Sequence, residues 1–292
     1  IIGCKNYAVL RGSLYGIGRI VGDTLGAGVT IENCENYGTI NGAQAGGIIG
    51  LVRQDGQKSI TDCRNFAAVS GTQQAGGIVG DTVGTGITIE NCDNSGNITS
   101  TGNSVGGIVS LVRGTVMITG CTNSGIVTAT VASGATARAG GIVGGVGETG
   151  SVSIDTCENS GSVTAAGAWY VGGIVGFGGN AGTLYASITI RNCVNRGEIS
   201  SAERVGGIVG GSANAQVVIT VENSTNYGKV IASNNVSFVG GIFGIFRKGG
   251  NQTIDEFSTT KTETETEASE GLIFKNTTTD VTASAVKYGG SV

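Results

Sequence analysis

Short runs in which β-branched apolar residues occupy every second position recur along the chain. These runs are Val29-Thr30-Ile31, Ile87-Thr88-Ile89, Val116-Met117-Ile118, Val152-Ser153-Ile154, Ile188-Thr189-Ile190 and Ile219-Thr220-Val221. Period-two alternation of Val, Ile and Thr predicts strands with one buried face. Ile31 and Cys34 are three residues apart and cannot share a face of one straight strand, so we expect a bend near Glu32 and Asn33.

Each run leads into a Cys-x-Asn phrase, and a Gly-Gly-Ile-Val segment follows it. The lead positions are Cys4, Cys34, Cys63, Cys92, Cys121, Cys157, Cys193 and Ser224, at intervals of 30, 29, 29, 29, 36, 36 and 31 residues. This repeat predicts an all-β fold: a right-handed parallel β-solenoid, or β-helix, of about eight to nine coils of roughly 30 residues with three short strands each. Hairpins in a sandwich do not require the same residue at such a fixed interval.

Stacked coils bring equivalent residues into columns. We expect one inward column of Cys34, Cys63, Cys92, Cys121, Cys157 and Cys193, and another of Ile48, Ile78, Ile108, Ile142, Ile174 and Ile208. The Asn of each phrase is expected to hydrogen-bond along the axis and to tolerate the left-handed backbone of a corner. The glycines of each pair supply either a positive φ or room for a neighbouring backbone.

The residue after each Gly-Gly-Ile is apolar in every coil. This column contains Val21, Ile49, Val79, Val109, Val143, Val175, Val209 and Phe243. Neighbouring strand residues point to opposite faces, so a straight strand would place this column outside as an apolar stripe. Two explanations stand: a corner within Gly-Gly-Ile-Val-Gly turns both columns inward, or the stripe is covered by an insertion or by a partner, including another copy.

The seven cysteines all occupy one repeat column. The number of cysteines is odd, and in a regular inward column their Cβ atoms all point in the same direction. Both facts favour reduced, buried thiols over disulfides. The chain has no His and no CxxC pair, so we expect no metal site, no cofactor and no catalytic residue. Asp23 and Asp81 stand two coils, or about 10 Å, apart without a second acidic position beside them, which favours turn residues over calcium ligands.

Composition narrows the class of protein further. With 55 Gly and no Pro, the chain suits many tight turns, and its net charge is −4. Residues 1–248 carry 14 acidic and 14 basic side chains, so there is no basic stripe for nucleic acid. No apolar run approaches the roughly 18 residues of a membrane span. Because Ile1 is not an initiator methionine, we expect a processed or excised form whose targeting signal lies outside it.

The repeat weakens after residue 248. We expect a β-solenoid array over 1–248, then an acidic, Thr/Glu-rich insertion and a degenerate terminal coil over 249–292, with Phe274 in the Cys column. The insertion should be a solvated loop or an edge ribbon. Earlier insertions, at Thr128–Arg138 and Phe177–Ala186, should bulge outward. The aromatic residues in one long coil could stack on sugars or cover a gap at a corner: Trp169, Tyr170, Phe177 and Tyr185.

The Gly-Ile-Val-Gly core, repeated near every 30 residues in phase with Cys-x-Asn-x-Gly, resembles the GLUG-motif repeats. These occur in secreted and surface proteins of bacteria and some protozoa, including non-catalytic parts of immunoglobulin-cleaving metallopeptidases. The resemblance covers about residues 1–248 and implies an extracellular β-solenoid used as a stalk, spacer or adhesive surface. Single coils depart from the pattern at Arg19, Ser110 and Phe243. The peptidase chemistry is not implied, because its zinc motif needs two His.

The sequence therefore predicts a non-catalytic structural or adhesive module of a larger secreted or cell-surface protein. Surface glycans, host or neighbour-cell proteins, or further copies joined end to end or through the apolar stripe are the expected partners. One alternative is a polysaccharide-binding or polysaccharide-degrading β-helix; another is a self-assembling extracellular fibre subunit. The densest charged group is expected on a solvated face and contains Arg191, Arg196, Glu198, Glu203 and Arg204.

Overall fold

The computed structural model describes residues 1–12, 15–130, 137–147, 149–166, 170–179, 186–201, 203–212, 217–232 and 238–245, and the backbone of 252–259 and 272–279. Its parallel strands stack into an all-β solenoid of about seven turns with roughly 31 residues per turn. The eight lead positions from Cys4 to Ser224 enclose seven full turns, and the described segments beyond residue 245 join only one of the three sheets. The turn number is therefore slightly below the eight to nine expected.

The described strands form three sheets, as three strands per coil predicts. Sheet A contains Lys5–Asn6, Val29–Glu32, Glu35–Asn36, Lys58–Thr61, Arg64–Asn65, Ile87–Glu90, Asp93–Asn94, Thr115–Thr119, Thr122–Asn123, Ser151–Asp155, Glu158–Asn159, Ser187–Arg191, Val194–Asn195, Val218–Glu222, Thr225–Asn226, Gln252–Thr259 and Leu272–Thr279. Sheet B contains Leu10–Arg11, Ile17–Gly18, Ile40–Gly46, Val69–Gly76, Ile98–Ser100, Ser104–Gly106, Val127–Thr130, Arg138–Gly140, Val163–Ala166, Tyr170–Gly172, Ile199–Ser201, Arg204–Gly206, Val230–Ala232 and Phe238–Gly240. Sheet C contains Val21–Leu25, Ile49–Arg53, Val79–Thr82, Val109–Val112, Val143–Val146, Val175–Gly178, Val209–Ser212 and Phe243–Ile245.

A bend divides sheet A in every turn, immediately before the lead position. The residues at the bend have φ values between 48° and 62°, and they are Asn33, Asp62, Asn91, Gly120, Thr156, Asn192 and Asn223. The bend is where the spacing of Ile31 and Cys34 requires it. The left-handed residue is the one before the Cys, however, and not the Asn two residues after it, because the chain must turn before the Cys side chain enters the core.

Equivalent residues pair in register, and this register builds two buried clusters. The larger cluster contains the Cys and Ile columns, and the smaller one contains Ile40, Val69, Ile98 and Val105. The predicted inward columns are confirmed: the six cysteines from Cys34 to Cys193 and all six Ile side chains are buried. Cys4 occupies the same column but is exposed.

The apolar column after each Gly-Gly-Ile also faces the core. Val79, Val109 and Val143 are each 0% exposed, as are the Ile residues before them. The chain bends within the Gly-Gly-Ile segment, so consecutive residues both point inward. The corner explanation is therefore confirmed, and the lateral apolar stripe, with the partner surface that it offered, is wrong.

The glycine pairs leave room for the next turn. A Cβ atom on Gly77 would lie 2.0 Å from the carbonyl oxygen of Gly107 and 2.5 Å from Cγ of Asn94. A Cβ atom on Gly46 would lie 1.8 Å from the carbonyl oxygen of Ile49. Among the described residues, the glycines of the pairs from Gly46 onward do not have positive φ. Glycine is therefore needed at these positions because a neighbouring backbone approaches too closely for a Cβ atom.

Buried amides form a continuous ladder beneath these glycines. Each Nδ2 donates to Oδ1 of the next Asn at 2.6–2.8 Å, through Asn36, Asn65, Asn94, Asn123, Asn159, Asn195 and Asn226. Most of these amides also donate to the carbonyl two residues later, as Asn94 does to Gly96 at 3.0 Å. In the first turn, where Arg19 replaces the second glycine, Asn6 donates instead to the Arg19 carbonyl at 2.9 Å.

The register beyond the last Cys-like position differs from the one expected. Thr225 pairs with Thr278 and Glu222 with Lys275, which places residue 277 opposite Ser224. Phe274 is therefore three positions away from the Cys column, level with Val221 in the alternating apolar strand. An apolar residue suits that strand as well as it suits the Cys column, so the x-Asn spacing alone was misleading. The domain boundary at 248 and most of both insertions lie outside the described residues.

We expect Asn94→Ala to destabilise the fold by about 3 kcal/mol, because it leaves Asn123 Oδ1 and the Gly96 carbonyl buried without their donor. Asn103→Ala is the matched control, since Asn103 is exposed and its replacement should cost no more than about 0.5 kcal/mol. Urea unfolding followed by circular dichroism measures both. Equal losses for the two variants would show that the ladder adds nothing specific.

Thiol titration should find one reactive cysteine in the native protein and all seven in urea. Cys4 is exposed, whereas the other six cysteines are buried and closed to the reagent in the folded protein. Cys4→Ser should abolish the native reaction. More than one fast equivalent would contradict the closed sulfur column.

Candidate functional site

Two columns outside both core clusters face each other where sheet B meets sheet C. The first holds the residue two positions before each glycine pair: Gln44, Gln74, Ser104, Arg138, Tyr170, Arg204 and Phe238. The second holds the third strand residue of sheet C: Asp23, Leu51, Asp81, Leu111, Gly145, Phe177, Gly211 and Ile245. We call these two columns together the lateral seam.

An ion pair between a buried carboxylate and an exposed arginine occupies the N-terminal part of the lateral seam. Asp81 is 0% exposed, accepts a hydrogen bond from Gln44 Nε2 at 3.1 Å and pairs with Arg113 of the next turn through Nε at 3.2 Å and through Nη2. Burial nevertheless raises the pKa of Asp81 above its usual value, against the opposing effect of the Arg113 hydrogen bond.

The same pairing occurs two turns earlier. Asp23 meets Arg53 of the following turn at 3.0 Å. Both aspartates lie within strands of sheet C, at Val21–Leu25 and Val79–Thr82. The expectation that they are turn residues is therefore wrong, because each carboxylate reaches an arginine one turn further along the same sheet.

Alternating arginine and aromatic side chains occupy the C-terminal part of the lateral seam. The Arg138 guanidinium lies 4.7 Å from the Phe177 ring centroid, and the Arg204 guanidinium lies 5.0 Å from that of Tyr170. The Tyr170 and Phe177 rings are 4.3 Å apart and tilted by 51°. Arg204 also lies 5.9 Å from the Phe238 ring centroid. These are cation–π distances.

Glycines provide the space for the large side chains. Gly145 faces Arg138, and a Cβ atom there would lie 2.8 Å from Cδ of the arginine. Gly211 is equally constrained, since its Cβ would lie 2.9 Å from Cδ1 of Tyr170. Large residues in one column are thus matched by glycine in the other, which makes the seam a packed arrangement with defined positions.

The lateral seam was not found from the sequence. Its signal is the position two residues before each glycine pair, where arginine and aromatic residues alternate in the later turns. The charged group expected on one face is instead dispersed: Arg191 pairs with Glu222 at 2.5 Å, Arg196 with Glu158 at 2.9 Å and Arg204 with Glu203 at 3.2 Å. Tyr170 and Phe177 are buried, as a gap-filling role requires, and Trp169 and Tyr185 lie outside the described residues.

A second group of aromatic rings lies exposed at the corner after the Asn ladder. Tyr7 stacks on Tyr37 with centroids 4.7 Å apart, and Tyr37 stacks on Phe66 at 4.8 Å. Both faces of the middle ring are therefore occupied, which leaves it only edges for contact with a ligand. Beside the rings runs an ion-pair chain in which Glu35 meets Lys5 at 2.6 Å and Arg64 at 3.8 Å.

The described residues contain no cluster of three or more His, Cys, Asp and Glu side chains placed to hold a metal ion. Nor does any helix in the described part of the chain have the length and apolar character to cross a membrane. Comparisons with protein families, with curated proteins and with solved structures find no match to this chain.

Asp81 gives the lateral seam a defined pH dependence. A carboxyl group whose pKa is higher in the folded than in the unfolded state binds its proton more tightly when folded, so its contribution to stability grows as the pH falls. We therefore expect the difference in unfolding free energy between the wild type and Asp81→Asn to increase in favour of the wild type as the pH is lowered from 7 to 4. Urea titrations at several pH values measure this difference.

Asp55→Asn is the matched control, because the contribution of Asp55 to stability has the opposite pH dependence. Hydrogen bonds from the Thr85 hydroxyl and backbone amide lower the pKa of Asp55, so its contribution is lost as the pH falls through the folded pKa. Parallel trends for the two aspartates would contradict the assignment of Asp81.

Proposed function

We propose that this chain is a non-catalytic structural or adhesive module of a larger secreted or cell-surface protein. The observation that carries the proposal is the pairing of equivalent residues from turn to turn in all three sheets, together with the Asn ladder from Asn36 to Asn226. Each turn is bonded to both neighbours at every strand, so the array resists bending and holds its two ends at a fixed separation. The resemblance of the repeats to GLUG-motif repeats supports the extracellular setting.

The lateral seam is the observation that favours a ligand-binding role over a purely passive spacer. It brings arginines and aromatic rings together at cation–π distances in successive turns. Glycans and proteins on neighbouring surfaces are the partners proposed for it. A fibre subunit is the third candidate; because the apolar column is buried, end-to-end stacking is the one of the two expected modes of assembly that remains.

Electron–electron distance measurements test the rigid module. Nitroxides on Tyr7→Cys and Tyr227→Cys, in a Cys4→Ser background, stand seven turns apart in one exposed column. We expect a single narrow distribution of the distance between the two nitroxides, centred at about 34 Å, because seven turns are separated by seven strand spacings of about 4.8 Å. A broad distribution would contradict a rigid module.

The non-catalytic part of the proposal has a separate test. Incubation with a panel of neutral and acidic polysaccharides should release no new reducing ends above a heat-denatured sample. Reproducible release from any polysaccharide would replace the structural proposal with the degrading β-helix.

A further inference from the structure

Among the residues that the structure describes, Arg138 is the cation of the lateral seam that has no carboxylate partner. No Asp or Glu among the described residues lies within ion-pairing distance of it, whereas Arg53, Arg113 and Arg204 each have such a partner. Its Nε is fully buried and makes no hydrogen bond within the described part of the protein. A partly buried cation without a counter-ion is costly, and the Phe177 ring 4.7 Å away offsets only part of that cost.

Arg138 and Arg204 lie in one column with Tyr170 between them. Strand pairing joins Arg138 to Tyr170 and Tyr170 to Arg204, so the two arginines are two turns, or about 9.6 Å, apart. Aromatic rings fix both guanidinium groups, and the Arg138 side chain fills the space that Gly145 leaves opposite it. Nε of both arginines and Nη1 of Arg204 are fully buried, so a carboxylate or sulfate has to meet the remaining terminal N–H groups of each guanidinium.

The spacing discriminates between anionic polymers. Side chains on one face of an extended peptide recur about every 6.7 Å, which does not match two turns of the solenoid. A polysaccharide with one acidic group per disaccharide carries its charges two sugar rings apart, a longer interval that we match to the two-turn separation of about 9.6 Å between the arginines. The net charge of −4 and the balanced array oppose general attraction of polyanions and favour such local recognition.

We propose that the lateral seam binds an acidic polysaccharide along the solenoid axis, with Arg138 and Arg204 each receiving one carboxylate or sulfate from successive disaccharides. Tyr170 and Phe177 are buried and brace the arginines without touching the sugar rings. Glu203, which meets Arg204 at 3.2 Å and is 37% exposed, competes with the ligand for that arginine. The proposal rests on the adhesive form of the proposed function and names its ligand class.

Calorimetric titration of the full chain with a hyaluronan decasaccharide, which carries one carboxylate per disaccharide, tests the site. We expect saturable binding that weakens with added salt, and a loss of about 10-fold or more in affinity for Arg138→Gln. Arg196→Gln is the matched control, because Arg196 also lies over an aromatic ring, Tyr227 at 4.9 Å, but on a different face. That control should change the affinity less than about 2-fold.

Glu203→Gln keeps the site testable if Arg138→Gln does not fold. It removes the competing carboxylate at an exposed position, and we expect binding about 3-fold tighter. Three outcomes overturn the proposal: no binding of hyaluronan by the wild type, equal losses for Arg138→Gln and Arg196→Gln, or equal affinity for poly-L-glutamate. If the nitroxide distance is as expected but hyaluronan does not bind, only the site fails; if the distance distribution is broad, the rigid module itself fails.

Discussion

The in-register backbone ladder, with one strand spacing between turns, is the constraint on which the rest of the structure depends. Because equivalent residues are placed directly above one another, every side chain must tolerate a copy of its own position about 4.8 Å away. Asn satisfies this requirement with an amide that both donates and accepts along the axis. Glycine satisfies it where two backbones approach, since a Cβ at Gly77 would collide with both the Gly107 carbonyl and the Asn94 amide.

Columns that repeat one residue type could be predicted from the sequence, because their periodicity is visible without coordinates. The Cys, Ile and Asn columns and the bend before each Cys follow from spacing and parity alone. The bend also explains why the position before Cys is Asn, Asp or Gly in most turns, because these residues tolerate the left-handed conformation. Thr156 adopts the same conformation although a β-branched residue disfavours it. Spacing does not specify whether the residue before each Cys or the Asn two residues after it adopts that conformation. This depends on where the Cys side chain enters the core.

The lateral seam could not be predicted in the same way, because its residues complement one another across two different sheets. Arg138 fits only because Gly145 faces it, and Asp81 is acceptable only because Arg113 stands in the next turn. Even Ser110, which departs from the glycine of other turns, exchanges hydrogen bonds with Ser104, at 2.6 Å and 2.8 Å. Such pairings are specific to individual turns and leave no period of their own in the sequence.

The diagonal pairing of Asp23 with Arg53 and of Asp81 with Arg113 determines how an array of this kind can lengthen or shorten. Adding or deleting a single turn by recombination would place two aspartates or two arginines at neighbouring positions and leave a carboxylate without its cation. Adding or deleting two turns preserves every carboxylate–guanidinium contact. The heritable unit at this end of the molecule is therefore a pair of turns, although the backbone repeats at every one.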